Sequence, residues 1–185
     1  MRDPSEALLI VDLQNDFCPG GALAVRGGDG IVEPLNRLLA QFHFVVATQD
    51  WHPPDHISFK ARGGPWPPHC VQSTRGAELH PKLDQTGIHL KIQKGTSSGR
   101  DAYSGFQETT LDRELKKRNI RKVFVAGLAT DYCVKQTALD ALKRGYEVTV
   151  LTDLVAAVNV KTGGGDLALE EIHRAGGHLA RSTGL

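Results

Sequence analysis

The chain has 185 residues, 22 of them basic and 21 acidic, for a formal net charge of +1. That length suits one α/β-sized domain, here taken as residues 1–185, and so even a balance leaves no electrostatic footprint for nucleic acid or an anionic membrane surface. Its apolar runs fall far short of the roughly 20 residues that span a bilayer, no basic-then-apolar leader opens it, and three cysteines without framework spacing fit a reducing compartment, so a cytoplasmic protein is expected.

In chain order, compact apolar runs at 7–11, 44–48, 88–92, 123–126 and 147–151 predict strands, and a sixth starts at 178–180. Short runs rich in β-branched residues and apolar on both faces suit a parallel sheet buried on both sides. Between them, apolar residues at helical spacing predict helices over 31–42, 111–118, 134–144 and 167–174, with Gly145 placed as a C′ residue. Strand–helix alternation of this kind implies an α/β fold: a three-layer, doubly wound parallel sheet of about six strands with helices on both faces. Two irregular stretches, 51–80 and 94–108, begin at strand ends and are longer than the roughly 12–15 residues usual for passive connections, which gives them a functional reading. The Gly163-Gly164-Gly165 run reads as a flexible loop.

Ligands of an open parallel sheet bind beyond the carboxyl ends of its strands. Asp12, Asp50, Lys94, the segment 127–133 and Asp153 each follow a different predicted strand. Cys133 is the candidate nucleophile: with Thr130 or Asp131 capping the next helix it falls in the first turn, where the macrodipole favours a thiolate. Asp12 and Lys94 are its candidate partners in proton transfer, and equally a buried ion pair joining two strand ends. Asp50, His52 and His56, with His69 across a Trp-Pro loop, offer imidazoles and a carboxylate suited to a borderline divalent ion. His43, His80, His89, His173 and His178 lack ligand-like spacing, and Cys18 and Cys70 read as core residues.

These segments resemble the isochorismatase-like cysteine hydrolases and, within them, the nicotinamidases, also called pyrazinamidases. The resemblance rests on VDLQNDF at 11–17, PGGALAV at 19–25, QDWHPPDHISF at 49–59, WPPHC at 66–70, Lys94-Gly95 and GLATDYCV at 127–134, all in family order. It implies a catalytic triad of Asp12, Lys94 and Cys133, and a cis peptide just before Ala129 with the Ala129 and Cys133 N–H groups as an oxyanion hole. It also implies one divalent metal ion on Asp50, His52, His56 and His69, with zinc first and iron or manganese as alternatives. Phe17 and Trp66 would pack a flat ring, and Tyr103 would help to close the pocket. The implied activity is hydrolysis of the small molecule nicotinamide, and of pyrazinamide, through a cysteine thioester. Other small amide, carbamoyl or ureido substrates stay open, as does a metal-stabilised binding module with an inert Cys133. The residues are silent on whether the chain is a monomer or a homo-oligomer.

Overall fold

All six apolar runs become strands in the computed structural model, which describes residues 1–185. They are β1 (Glu6–Val11), β2 (Val45–Asp50), β3 (Leu90–Lys94), β4 (Lys122–Leu128), β5 (Glu147–Ala156) and β6 (His178–Ala180). They pair in parallel throughout, in the order β3-β2-β1-β4-β5-β6. The helices are α1 (Val32–Leu39), α2 (Leu111–Lys117), α3 (Lys135–Lys143) and α4 (Gly164–Arg174). No helix is long and apolar enough to cross a membrane.

Side chains of a strand alternate between faces, and β1 feeds two cores in that way. Leu8 and Ile10 pack with Leu35, Leu38 and Leu39 of α1 and with Cys70, Ala77 and Leu79 of the long insert after β2. Ala7, Leu9 and Val11 pack with Leu111 and Leu115 of α2, Ala138 and Ala141 of α3, and Ile172 of α4. Three layers result. The chain winds outward from β1 to β3, then returns to β1's other side with β4. That reversal is the switch point where ligands of such sheets bind.

Several boundaries differ from the sequence expectation. Strands β2 and β3 run on through Asp50 and Lys94, which pair in register, so these polar residues end the strands instead of following them. Strand β5 reaches Ala156, past the polar Thr152-Asp153 pair, because a register shift between Val125 and Gly127 of β4 lets pairing resume at Val155. The three-glycine run is no free loop: Gly163 is the left-handed N-cap of α4 and Gly164 opens the helix. Gly145 follows α3 with φ +85°, as the C′ position requires. At the switch point Gly127 has φ +115°, and a Cβ there would stand 2.0 Å from the Val11 carbonyl oxygen. Only glycine lets β1 and β4 approach so closely.

Candidate active site

Parallel register delivers four chemical groups to one rim of the sheet. Val11 of β1 lies opposite Gly127 of β4, so Asp12 emerges beside the turn that carries Cys133. Asp50 and Lys94 end β2 and β3 side by side. Lys94 Nζ stands 2.9 Å from Asp12 Oδ2, 2.5 Å from Asp50 Oδ1 and 3.3 Å from Cys133 Sγ, and donates to the Ala102 carbonyl at 3.1 Å. Thr48 Oγ1 donates to Asp12 Oδ1 at 2.6 Å and holds that carboxylate from the other side. Asp12 Oδ2 is paired with Lys94 by charge but makes no hydrogen bond, which leaves its lone pairs available. A carboxylate oxygen of Asp12 and Cys133 Sγ lie within 4.8 Å of each other.

Burial sets the charge states. Asp12 and Lys94 have side chains with no solvent exposure. Burial pushes the Asp12 carboxyl above the usual carboxylate range, against the pull of Lys94. For Asp50 burial acts the same way, but Lys94 and His52 outweigh it and hold the carboxyl well below that range. Lys94 is disfavoured as a cation by burial, yet two carboxylates hold its pKa well above the ordinary value. Cys133 departs from expectation. Burial pushes its thiol well up; Lys94 pulls it down, and Asp12 and Asp50 push it up again. Nor does it lie in the first turn of an α-helix: residues Thr130–Val134 form a π-type turn ahead of α3, with no side-chain cap. Asp131, one of the two expected caps, accepts instead from the Val158 and Asn159 N–H groups at 2.9 and 2.8 Å. The resting sulfur is therefore a thiol beside a carboxylate with a raised affinity for protons.

A second cluster adjoins the first. Inside the 51–80 insert, His52 forms a parallel bridge with Val71: its N–H donates to the Cys70 carbonyl at 2.9 Å, and Gln72 N–H donates to its carbonyl at 2.8 Å. That bridge sets His52 beside His69. Ligand atoms of Asp50, His52 and His69, all buried, lie within 4.8 Å of one another. Both rings are oriented by backbone carbonyls, His52 Nδ1 on Gly95 O at 2.9 Å and His69 Nδ1 on Pro67 O at 2.8 Å. A carbonyl only accepts, so each Nδ1 carries the proton and each Nε2 keeps a lone pair. Burial lowers the His69 pKa and keeps it neutral. Burial lowers that of His52 too, but the Asp50 carboxylate and the Gly95 carbonyl outweigh it, and the net shift is upward. His52 Nε2 and Asp50 Oδ2, 3.4 Å apart, are placed to share a cation, whether a proton or a metal ion. Two imidazoles and one carboxylate fit a zinc-like divalent ion and leave coordination positions open.

His56, expected as a fourth ligand, is not in that group. Its Nε2–H donates to the Arg100 carbonyl at 2.9 Å and its Nδ1 accepts from Ser58 Oγ at 2.7 Å, so neither nitrogen has a lone pair to spare. The ring stacks on His52, with centroids 4.0 Å apart. Gly95 is needed for the same packing: at φ +61° its Cβ would stand 2.5 Å from His52 Cε1. Gly95→Ala should displace His52 and lower the affinity for a divalent ion by roughly 10- to 100-fold, the usual effect of disturbing a ligand's supporting contacts, as read by competition with a chelator.

The two clusters meet at one largely apolar pocket. Asp50, His69, Ala129 and Cys133 reach it from the polar side, and Phe17, Trp66 and Tyr103 are among its lining. Trp66 Nε1–H donates to Tyr103 Oη at 3.0 Å, and Phe17 packs against His69 at 5.6 Å. The peptide before Ala129 is cis, and the Ala129 N–H makes no hydrogen bond within the protein. Sequence reasoning missed Leu23, Tyr132 and Val158, which complete the lining. Tyr132 stands next to Cys133 and packs edge-on to Trp66 at 5.1 Å, so its place in the nucleophile motif was a usable signal. Val158 carried none, because it reaches the pocket only through the extension of β5. Thr48 and Gln14 were also missed. Gln14 accepts from Asp50 N–H and donates to the Asp50 and Ala77 carbonyls, each at 2.8 Å, which fixes the backbone of the residue shared by both clusters.

Comparison with known proteins identifies the family. The family model described as the isochorismatase domain matches residues 6–183. A nicotinamidase/pyrazinamidase of Mycobacterium tuberculosis is 45% identical over an alignment that covers 96% of this chain and 99% of that protein. A pyrazinamidase of Pyrococcus horikoshii, solved in complex with zinc, superposes with a TM-score of 0.90 at 46% identity, covering 96% of this chain and 99% of that one. The L. infantum protein PnC1, solved in complex with nicotinate, gives a TM-score of 0.93 at 41% identity, covering 98% of this chain and 95% of the other. The chain therefore belongs to the isochorismatase family and groups there with the nicotinamidases.

Proposed function

We propose that this protein hydrolyses nicotinamide to nicotinate and ammonia, and accepts pyrazinamide, with Asp12, Lys94 and Cys133 as the catalytic residues. One observation supports the residue roles: Cys133 of the buried Asp12–Lys94–Cys133 cluster, and Asp50 and His69 of the Asp50–His52–His69 group, line a single aromatic-walled pocket. Asp12 takes the Cys133 proton as the sulfur attacks the carboxamide carbon, which its raised proton affinity favours. Negative charge moves to the carboxamide oxygen, where the N–H groups of Ala129 and Cys133 serve as donors. Asp12 returns the proton to the nitrogen, the C–N bond breaks and ammonia leaves a thioester. Water then gives a proton to Asp12 and attacks the thioester; the C–S bond breaks, Cys133 recovers its proton and nicotinate departs. Throughout, Lys94 fixes the Asp12 carboxylate and balances its charge. Phe17, Trp66 and Tyr103 hold the ring in place. Asp50, His52 and His69 would hold one divalent ion, zinc first with iron or manganese as alternatives, and the bound ion supplies a Lewis-acid contact that orients the heteroaromatic ring.

The direct test is ammonia release from nicotinamide by purified protein, before and after chelation and zinc add-back. Activity should be lost on chelation and return with zinc. A metal-loaded protein that ignores nicotinamide while turning over a non-aromatic amide would move the assignment to another small-amide hydrolase. A finer test addresses the base. Thr48→Val keeps the side-chain volume and removes the hydrogen bond to Asp12; kcat/KM should fall roughly 10- to 100-fold, as for a hydrogen bond to a charged group, and Thr48→Ser should restore most of it.

A further inference from the structure

The segment from Gly95 to Tyr103 acts as a strap across the site. It begins with Gly95, whose carbonyl orients His52. It ends with Ala102, whose carbonyl accepts from Lys94 Nζ, and with Tyr103, which lines the pocket and receives the Trp66 N–H. Between those ends the strap is fastened to the turn after His52. Ile57 N–H donates to the Ser98 carbonyl at 2.9 Å, and Ser98 Oγ donates to Asp55 at 2.6 Å in an exposed position. The third tie is the bond from His56 to the Arg100 carbonyl, made by a residue with no solvent exposure. Its ring is locked on three sides, by Arg100, by Ser58 Oγ and by the face of His52. Phe59 packs edge-on to it with centroids 5.7 Å apart.

We infer that His56 is a positioning residue and not a metal ligand: it latches the 95–103 strap to the metal-side turn and so sets the places of Tyr103 and of the Ala102 carbonyl that steadies Lys94. The chemistry of the ring requires a latch of this kind. The buried His56 ring needs partners for both nitrogens, and an imidazole with one N–H and one lone pair joins the Arg100 carbonyl to the Ser58 hydroxyl without carrying charge. The inference rests on the nicotinamidase reading for its kinetic consequence but not for its structural one.

Two substitutions separate latch from ligand. His56→Phe keeps the ring on His52 and removes both hydrogen bonds; His56→Gln keeps an amide donor for the Arg100 carbonyl. For His56→Phe, zinc affinity by chelator competition should stay within about threefold of wild type, whereas an outer contact of a ligand moves it by roughly 10- to 100-fold and a ligand by more. Amide hydrogen exchange at residues 96–101 should speed up by about tenfold or more as local opening becomes easier. KM for nicotinamide should rise by roughly tenfold with a smaller change in kcat, the pattern of a disturbed binding wall. His56→Gln should recover most of the exchange protection and of KM. Loss of zinc from both variants would make His56 a ligand and overturn the inference. Unchanged exchange with unchanged KM in both would overturn it as well. Should His56→Phe fail to fold, His56→Gln decides alone: zinc retained with strap protection near wild type supports the latch, and zinc lost sinks it. A wild-type protein inactive on nicotinamide would refute the functional assignment, yet the zinc and exchange measurements would still decide the latch.

Discussion

Cys133→Ala is expected to abolish ammonia release from nicotinamide, a loss of at least about 10⁴-fold, because it removes the atom that forms the covalent intermediate. The sulfur occupies one corner of the pocket, so the variant should still bind nicotinamide by calorimetry while turning none over. In the wild type, acid quenching during turnover should trap a mass increment on Cys133 equal to a nicotinoyl group, and the variant should show none. Equal rates in the two proteins would end the proposed mechanism. The thiol's high proton affinity adds a condition: alkylation of the free enzyme at neutral pH should be slow compared with reaction at the carboxamide, because burial keeps the sulfur protonated until the base and the substrate carbon are both in contact.

Lys94→Met should act on stability and activity together. The ammonium sits between two buried carboxylates, and removing one partner of a buried ion pair costs about 3–5 kcal/mol. With Lys94 gone, one carboxyl must hold its proton, and Asp12, already raised, is the one that does; the base is then neutral and turnover falls by an estimated 10³-fold or more. The pH dependence has a definite sign. In the wild type, the depressed Asp50 pKa contributes stability that is present above the unfolded carboxylate range and lost as pH falls through the folded value. The raised Lys94 pKa contributes stability present below the unfolded lysine value and lost as pH rises through the folded one. In the variant the buried Asp12 carboxyl keeps a folded pKa above the unfolded one with no cation to pull it down, so folding favours its protonated form. The melting-temperature deficit against wild type, measured on metal-free protein, should therefore be largest at neutral pH and shrink toward about pH 4. A deficit that stayed constant over that range would refute the shared-cation account.

Much of this was readable in the residues. Strands announced themselves as short apolar runs, and the polar residues at their ends had to converge once the sheet was parallel. Other features depended on distances that no spacing rule encodes. His56 follows His52 at an interval that suits shared ligation, but Pro53-Pro54-Asp55 closes a turn in which His56 N–H donates to the Pro53 carbonyl, and this lays one ring on the other instead of beside it. The extension of β5 hid behind Thr152 and Asp153, which look like a strand end, yet Asp153 is occupied in accepting from the Ser182 N–H and hydroxyl. For Cys133 the helix-terminus argument counts a local dipole, while burial and two carboxylates arriving from other strands push the thiol the other way.

The pairing of Glu6 with Lys122 carries a consequence for biosynthesis. Strand β1 lies at the middle of the finished sheet, and one of its two neighbours, β4, is translated only after β2, β3 and α2. Until then its second edge stays unsatisfied and the general base has no sulfur to serve. A nascent polypeptide of this kind is catalytically silent and prone to mispairing for most of its synthesis, so the acquisition of activity should track release of the fourth strand from the exit tunnel.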